Sequence, residues 1–310
     1  MVLKLIKKLA LYTLICLGIV TFFLETQGRH IDAFYEKFTT PKVNAMIVGD
    51  SRGFQGITPY VINEKLSSAS YSLPIYNYSF TIGQAPIGPL YRKSILKKLK
   101  QEENNGLFLI ALTPLMLSSN NENINEAGEF SERKEPPHNM IFVDKRPNYE
   151  YFIKNINYFE FKAMFKKEYT VHKDGWMEIN HISKDKRVLK AWKNTQMDRF
   201  KEMAKTSSPS NYRLKSLDTL VQTLKIFGEV YLLRLPIDAD FLDLEHEYFP
   251  DFNTRIDDVA KKNGVKYFNF GTTDTTDYFA FEGHHLDVES AELFSKNVSD
   301  SIIKYSTANK

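Results

Sequence analysis

Gly49-Asp50-Ser51-Arg52-Gly53 sets a serine between two glycines directly after the apolar run Lys42–Val48. Far downstream, Glu282-Gly283-His284-His285 puts a carboxylate three residues ahead of a histidine. A serine hydroxyl is a weak nucleophile at neutral pH and needs an adjacent base. Histidine, with an ordinary pKa of about 6.5, suits that task, and a carboxylate orients its ring and stabilises the imidazolium. Ser51, His285 and Glu282 are therefore the candidate nucleophile, base and orienting acid. His284 reads as a neighbour of the base, with contact to substrate as its functional role. Arg52 reads either as an ion-pair residue or as a contact for an anionic substrate group.

Other chemistry has less behind it. Glu282, His284 and His285 invite a metal reading, but no spaced ligand set or zinc pattern accompanies them, so neither a metal nor another cofactor is expected. A phosphate-handling site would want a glycine-rich phosphate loop or an acidic cluster, and the chain carries neither motif. Asp238 and Asp240 read as loop carboxylates. Gly49 to Gly53 formally fits the G-x-S-x-G elbow, a pattern of only three fixed residues. Its place after the first strand, not after several, argues against an α/β-hydrolase.

These residues need elements to hold them. Lys42–Val48, 73–80, 106–112, 228–236 and 265–270 read as strands. Between and after them, helices are predicted from Thr58-Pro59 to about Leu66, over 85–100 and 252–264, and from Val288 to Tyr305 behind an Asp287 cap. Strands alternating with helices imply a parallel sheet covered on both faces. Ligands of such sheets bind outside the carboxyl ends of the strands. Ser51, Ser79–Gly83, Thr113, Leu235–Asp238 and the segment after Phe270 all fall at those ends. About 110 residues between the third and fourth strands break the alternation and read as an insertion beside the active face, at about 113–227. It contains a polar loop at 118–138, an aromatic helix at 149–169, a turn or hairpin at 172–181, and amphipathic helices at 185–205 and 211–227. The aromatic stripe at 149–169 reads first as a packed helix face; the alternative is a sugar platform, with Tyr151, Phe159 and Trp176 lining a glycan groove.

The N-terminus sets the location. Lysines at 4, 7 and 8 precede an uncharged run from Leu9 to Leu24, and Thr26-Gln27-Gly28 is a poor cleavage site. Residues 1–28 therefore read as an uncleaved signal anchor, with the N-terminus cytoplasmic and residues 29–310 periplasmic or extracellular. The net charge of +3 comes from those three lysines, and the other 38 basic residues match 38 acidic ones. A balanced surface argues against nucleic acid as a partner. The chain's one cysteine, Cys16, lies in the anchor, so the exported part uses no thiol chemistry.

A Gly-Asp-Ser after the first strand and an acid-x-x-His before the last helix resemble the SGNH (GDSL-type) hydrolase superfamily, over roughly Val43–Leu112 and Val230–Lys304. The resemblance implies a three-layer α/β/α, flavodoxin-like fold and Ser-His-acid acyl chemistry, with Glu282 where the family usually has Asp. It implies an oxyanion hole formed by the Ser51 N–H and Gly83, with Thr113 standing where the family has an asparagine block. Divergent members carrying an N-terminal anchor act in cell-envelope polysaccharide acylation beside a membrane-bound O-acyltransferase. The expectation is an anchored serine esterase or O-acyltransferase whose partners are an envelope glycan or acyl donor and that acyltransferase. The alternative is an inactive scaffold or glycan-binding module of an envelope-polymer assembly complex.

Overall fold

The computed structural model describes residues 1–101, 105–157, 168–271 and 277–308. Nine strands are present among them: β1 (Ala45–Val48), β2 (Ile75–Asn77), β3 (Gly106–Ala111), β4 (Ser118–Asn120), β5 (Tyr169–Val171), β6 (Met177–Ile179), β7 (Ser207–Pro209), β8 (Gly228–Arg234) and β9 (Lys266–Asn269). Five of them form one parallel sheet in the order β2-β1-β3-β8-β9. The chain is thus a mixed α/β protein built on a five-stranded parallel sheet.

Side chains on successive strand residues point to opposite faces, and here both faces are apolar. Met46, Val48, Phe108, Ile110, Val230 and Leu232 enter one core, with the helices Pro89–Lys98, Asn211–Lys225 and Phe252–Asn263 packed over them. Ala45, Ile47, Leu107, Leu109, Tyr231 and Leu233 enter the other, under the helices Pro59–Lys65 and Val288–Ala308. Burial on both sides explains why the strands read as unbroken apolar runs and not as alternating ones. The connection leaving β1 for β2 crosses one face, through the helix Pro59–Lys65, and that leaving β3 for β8 crosses the other, through Asn211–Lys225. These two connections diverge between β1 and β3, the position at which parallel sheets of this kind place their ligand crevice, at the strands' carboxyl ends.

The inserted segment adds two antiparallel pairs, β4 with β7 and β5 with β6. The hairpin expected at 172–181 is the second of these. The polar loop after Leu117 starts with β4 and contains short 3-10 turns. Among the described residues the expected aromatic helix covers Tyr149–Asn155; 158–167, Phe159 among them, lie outside the described residues. The long helix Lys186–Thr206 is capped by Asp185. The helix Ala239–Tyr248 was not expected; it follows β8, with Asp238 as its N-cap accepting the Asp240 N–H. Asp238 is thus a cap residue and Asp240 lies in the first turn of the helix, and both pair with Lys193 of the inserted helix at 2.8 and 2.6 Å.

The N-terminal helix Val2–Ile31 is long and apolar enough over Val2–Gly28 to cross a membrane, or to act as a signal helix. Its last turns pack on the folded part. Leu24 is buried in the first core, and the face at Gly28 lies against the Tyr35 ring so closely that a Cβ would clash. The chain then runs to β1 past two buried lysines. Lys37 donates to the carbonyls of Asn77 and Gly175 at 2.6 and 2.8 Å and sits 4.0 Å above the Phe54 ring. Lys98 donates to the Thr40 carbonyl, the Thr40 hydroxyl and the Val143 carbonyl at 2.6, 2.8 and 2.9 Å.

Burial, the largest influence, pushes the Lys98 ammonium down to about 7 despite the nearby Asp144 and Glu36 carboxylates. Between pH 7 and the ordinary lysine pKa of 10.5, the unfolded chain then holds a proton that the folded chain has released. Stability must rise with pH across that window. Unfolding of the detergent-solubilised chain at pH 7 and pH 9 will show a gain in stability at the higher pH, and Lys98→Met will flatten that gain.

Candidate active site

The site is assembled at the carboxyl end of β1. After Val48 the chain turns into the short helix Ser51–Gly56, where Asp50 is the N-cap and accepts the Arg52 N–H at 3.0 Å. Ser51 thus opens a helix where a simple turn was expected. The first N–H groups of a helix have no intrahelical acceptor, which leaves the Ser51 amide at the helix mouth. Gly49 and Gly53 permit a close crossing over β3, since a Cβ on either would meet the Ala111 side chain at 3.0 or 3.1 Å.

Two buried polar residues fix this helix to its neighbours. Thr113, just past β3, donates its hydroxyl to Asp50 at 2.6 Å. Asn77, at the end of β2, donates to the carbonyls of Gly53 and Ile57 at 2.9 and 3.1 Å and accepts the Ser79 N–H at 3.1 Å.

The histidine arrives on a tight loop before the last helix. The Phe281 N–H bonds the His285 carbonyl, and the Asp238 N–H ties the Gly283 carbonyl to the end of β8. Gly283 has φ +93, and a Cβ there would also strike the Phe241 ring at 2.8 Å. A left-handed residue at that point folds the Glu282 side chain back toward the His285 ring, and glycine adopts it without strain.

The result is a continuous hydrogen-bonded chain. His285 Nε2 lies 2.8 Å from Ser51 Oγ, although the residues are 234 positions apart. His285 Nδ1 bonds Glu282 Oε1. A carboxylate only accepts hydrogen bonds, so Nδ1 carries the proton and Nε2 presents its lone pair to the serine hydroxyl. Gln196 holds the other Glu282 oxygen, donating from Nε2 at 3.0 Å. His285 and Glu282 are buried to 8% and 9% exposure, and Ser51 is half-buried at the mouth.

His284 packs beside the base, 4.0 Å from the His285 ring and 4.6 Å from Phe241. Burial first, then the His285 and Arg52 charges, holds its pKa well below the usual histidine range, so it stays neutral. One ligand atom each from Glu282, His284 and His285 falls within a 4.8 Å cluster. Both His285 nitrogens already have partners, a serine hydroxyl and a carboxylate, which suits proton transfer better than metal ligation.

A cleft of about 560 Å³ opens onto His285 and Glu282. Its walls include Gln55, Tyr169, Ile179, Trp192, Arg199 and Phe281. Trp192, Thr195, Gln196 and Arg199 follow the i, i+3, i+4, i+7 spacing of one helix face, and this pattern was present in the sequence unnoticed.

The other residues named from the sequence stand elsewhere. Trp176 is buried, not a cleft residue: its indole N–H donates to the Gln55 carbonyl at 2.7 Å and its ring stacks on His172. Trp192 is the tryptophan at the cleft. Tyr151 is likewise in the core, against Tyr35 and Phe38. Arg52 turns inward to a buried ion pair with Glu245 at 2.6 Å, and Arg234 holds the second Glu245 oxygen at 2.9 Å. Its charge is thus engaged within the protein and not offered to a substrate anion. The Thr113 hydroxyl serves Asp50 and not a developing oxyanion. Gly83 lines a separate cavity with Pro86, Leu115 and Arg213.

No protein-family model matches the chain, and no curated protein matches it.

Asn77→Ala leaves two carbonyls of the Ser51 helix region without their donors. It also leaves the Ser79 N–H without its acceptor, and each buried unpaired group costs about 1–3 kcal/mol, so denaturant unfolding should show a loss of at least about 3 kcal/mol. An unchanged midpoint would mean that Asn77 does not tether the helix.

Proposed function

We propose that the chain is a membrane-anchored SGNH-type serine esterase or O-acyltransferase acting on cell-envelope polysaccharide, with its main domain on the outer side of the membrane. The observation that carries the reading is the 2.8 Å approach of His285 Nε2 to Ser51 Oγ, with Glu282 on the other ring nitrogen. Hydrogen-bond reach between nucleophile and base, with a third group orienting the base, is the signature of an activated serine. The parallel strand order supports the fold half of the proposal, since an order 2-1-3-4-5 is that of flavodoxin-like proteins. The apolar N-terminal helix supports the anchoring half.

In this reading Ser51 Oγ attacks the carbonyl carbon of an ester while His285 Nε2 takes its proton. The tetrahedral intermediate collapses, and the departing alcohol leaves with that proton. Water or a sugar hydroxyl then attacks the acyl-serine, giving up its proton to His285; the bond from the acyl carbon to Ser51 Oγ breaks as His285 returns that proton to Oγ, releasing the acid or the acylated sugar and regenerating Ser51. The Ser51 N–H, at the helix mouth, is the oxyanion donor that this geometry supports. The cleft walls combine aromatic faces with Gln196, Thr195, His181 and Arg199, a lining suited to a hydroxyl-rich ring.

One observation favours the scaffold alternative. The Thr113 side chain stands where the superfamily has its asparagine block, and its hydroxyl is committed to Asp50. Loss of one oxyanion donor costs about 10²–10³ in rate, which slows an esterase without abolishing it.

The test is turnover of p-nitrophenyl acetate by the detergent-solubilised chain, with and without a sugar acceptor. Ser51→Ala should lower the rate by at least about 10³-fold, and Glu282→Gln should also lower it severely. Acetyl appearing on the sugar would assign transfer; acetate alone would assign hydrolysis. Equal rates in the parent and Ser51→Ala would favour the scaffold.

A further inference from the structure

The folded part carries a group of exposed apolar side chains beside the N-terminal helix. Ile153 is 78% exposed, Ile141 64%, Phe142 48% and Tyr149 37%. They form one unit. Tyr149 and Ile153 are four residues apart on the helix Tyr149–Asn155 and so share a face. Glu150 of that helix accepts the N–H groups of Ile141 and Phe142 at 2.8–3.1 Å, holding the preceding loop alongside.

This unit is bonded to the N-terminal helix where its apolar run ends. The Tyr149 hydroxyl lies 2.6 Å from Thr21 Oγ1, inside the uncharged stretch Leu9–Leu24. Arg146 bonds Glu25, the first charged residue after that stretch, at 2.9 Å. The change from uncharged to charged marks the level at which a spanning helix leaves hydrocarbon. Sixteen residues at 1.5 Å each reach about 24 Å, short of a hydrocarbon core of about 30 Å. The helix therefore has no spare length with which to hold the domain away from the bilayer. Because its last turns are packed into the domain core through Leu24, the domain must sit on the surface. Whatever lies beside Thr21 then sits at interface depth.

We propose that the face made by Ile141, Phe142, Tyr149 and Ile153 is embedded in the interfacial zone of the bilayer that the chain's own N-terminal helix crosses. The occupant of this apolar face is lipid. The proposal rests on the reading of the N-terminal helix as a membrane span whose hydrocarbon-crossing part is the uncharged stretch Leu9–Leu24. Its chemistry suits an interface: a tyrosine whose hydroxyl stays near the polar side, aliphatic residues that enter the acyl boundary, and exposed Lys145, Arg146 and Lys154 at the margin. The consequence for the site is direct. Phe34, just after the N-terminal helix, packs on the same small core of Phe54, Val171 and Met177 as Tyr169 and Ile179 of the β5–β6 hairpin, and those last two residues also line the cleft. Seating the domain on the membrane brings one wall of the cleft close to the lipid surface.

The test uses the full chain with Cys16→Ser, reconstituted in phosphatidylcholine vesicles. A single cysteine carrying an environment-sensitive fluorophore is placed in turn by Ile153→Cys, Phe142→Cys, Lys261→Cys and Leu14→Cys. Lys261 is exposed on the helix Phe252–Asn263, beside the opposite edge of the sheet, and serves as the solvent reference. Quenching by spin-labelled lipid is then measured. The expected result is strong quenching at 14, and quenching at 142 and 153 several-fold above that at 261. Quenching at 14 with 142 and 153 no higher than 261 would overturn the docked face while leaving the span intact. No quenching at 14 would overturn the span and the docked face together.

Discussion

The hydrogen bond between Ser51 and His285 joins a residue just after β1 to one that comes only before the last helix. Nothing local in the chain brings them together. Parallel strands all point the same way, so every loop that follows a strand emerges on one edge of the sheet, and the divergence of crossovers between β1 and β3 opens a crevice at that edge. The serine enters from β1, and the histidine loop is tied to the end of β8 through the Gly283 carbonyl. The rest of the site depends on that meeting. Gln196 matters only because Glu282 is there to receive it, and Glu282 matters only because the His285 ring faces the serine.

Buried polar groups do much of the positioning. Thr113, Asn77 and Asp50 link the ends of β3, β2 and β1 around the Ser51 helix, with bonds between 2.6 and 3.1 Å. On the far side, Glu245 is held between Arg52 and Arg234 with all three side chains excluded from solvent. Removing one member of such a group leaves a buried charge uncompensated, which is far more costly than the net worth of the pair. The sheet edge around the serine is thereby stiffened from two directions. An attacking group needs this, because a small displacement from the productive geometry is expensive in rate.

The inner strands β1 and β3 were readable because each is an apolar run buried on both faces, while the edge strand β9 is only partly buried; 42–48, 106–112, 228–236 and 265–270 all enclose a strand of the parallel sheet. Ser51, Glu282 and His285 could be picked out because their spacing and residue types carry chemistry whatever surrounds them. The fates of Arg52, Thr113 and Trp176 could not be read, since each depends on a partner contributed by another element: Glu245 from the unexpected helix, Asp50 from the end of β1, and the Gln55 carbonyl. That helix, Ala239–Tyr248, is rich in acidic residues and follows Pro236, so it reads as a polar loop until Asp238 is seen to cap it. Asn77 read only as part of a strand, because a buried amide that bonds three backbone groups looks no different in sequence from any other asparagine.

The proposed chemistry requires an activated serine at position 51. Treating the intact chain with a serine-directed fluorophosphonate and locating the adduct by peptide mass spectrometry tests this most directly. The expected result is modification at Ser51 in the parent chain and loss of that modification in His285→Ala. Labelling of other serines alone, or labelling of Ser51 at an equal rate without His285, would contradict it.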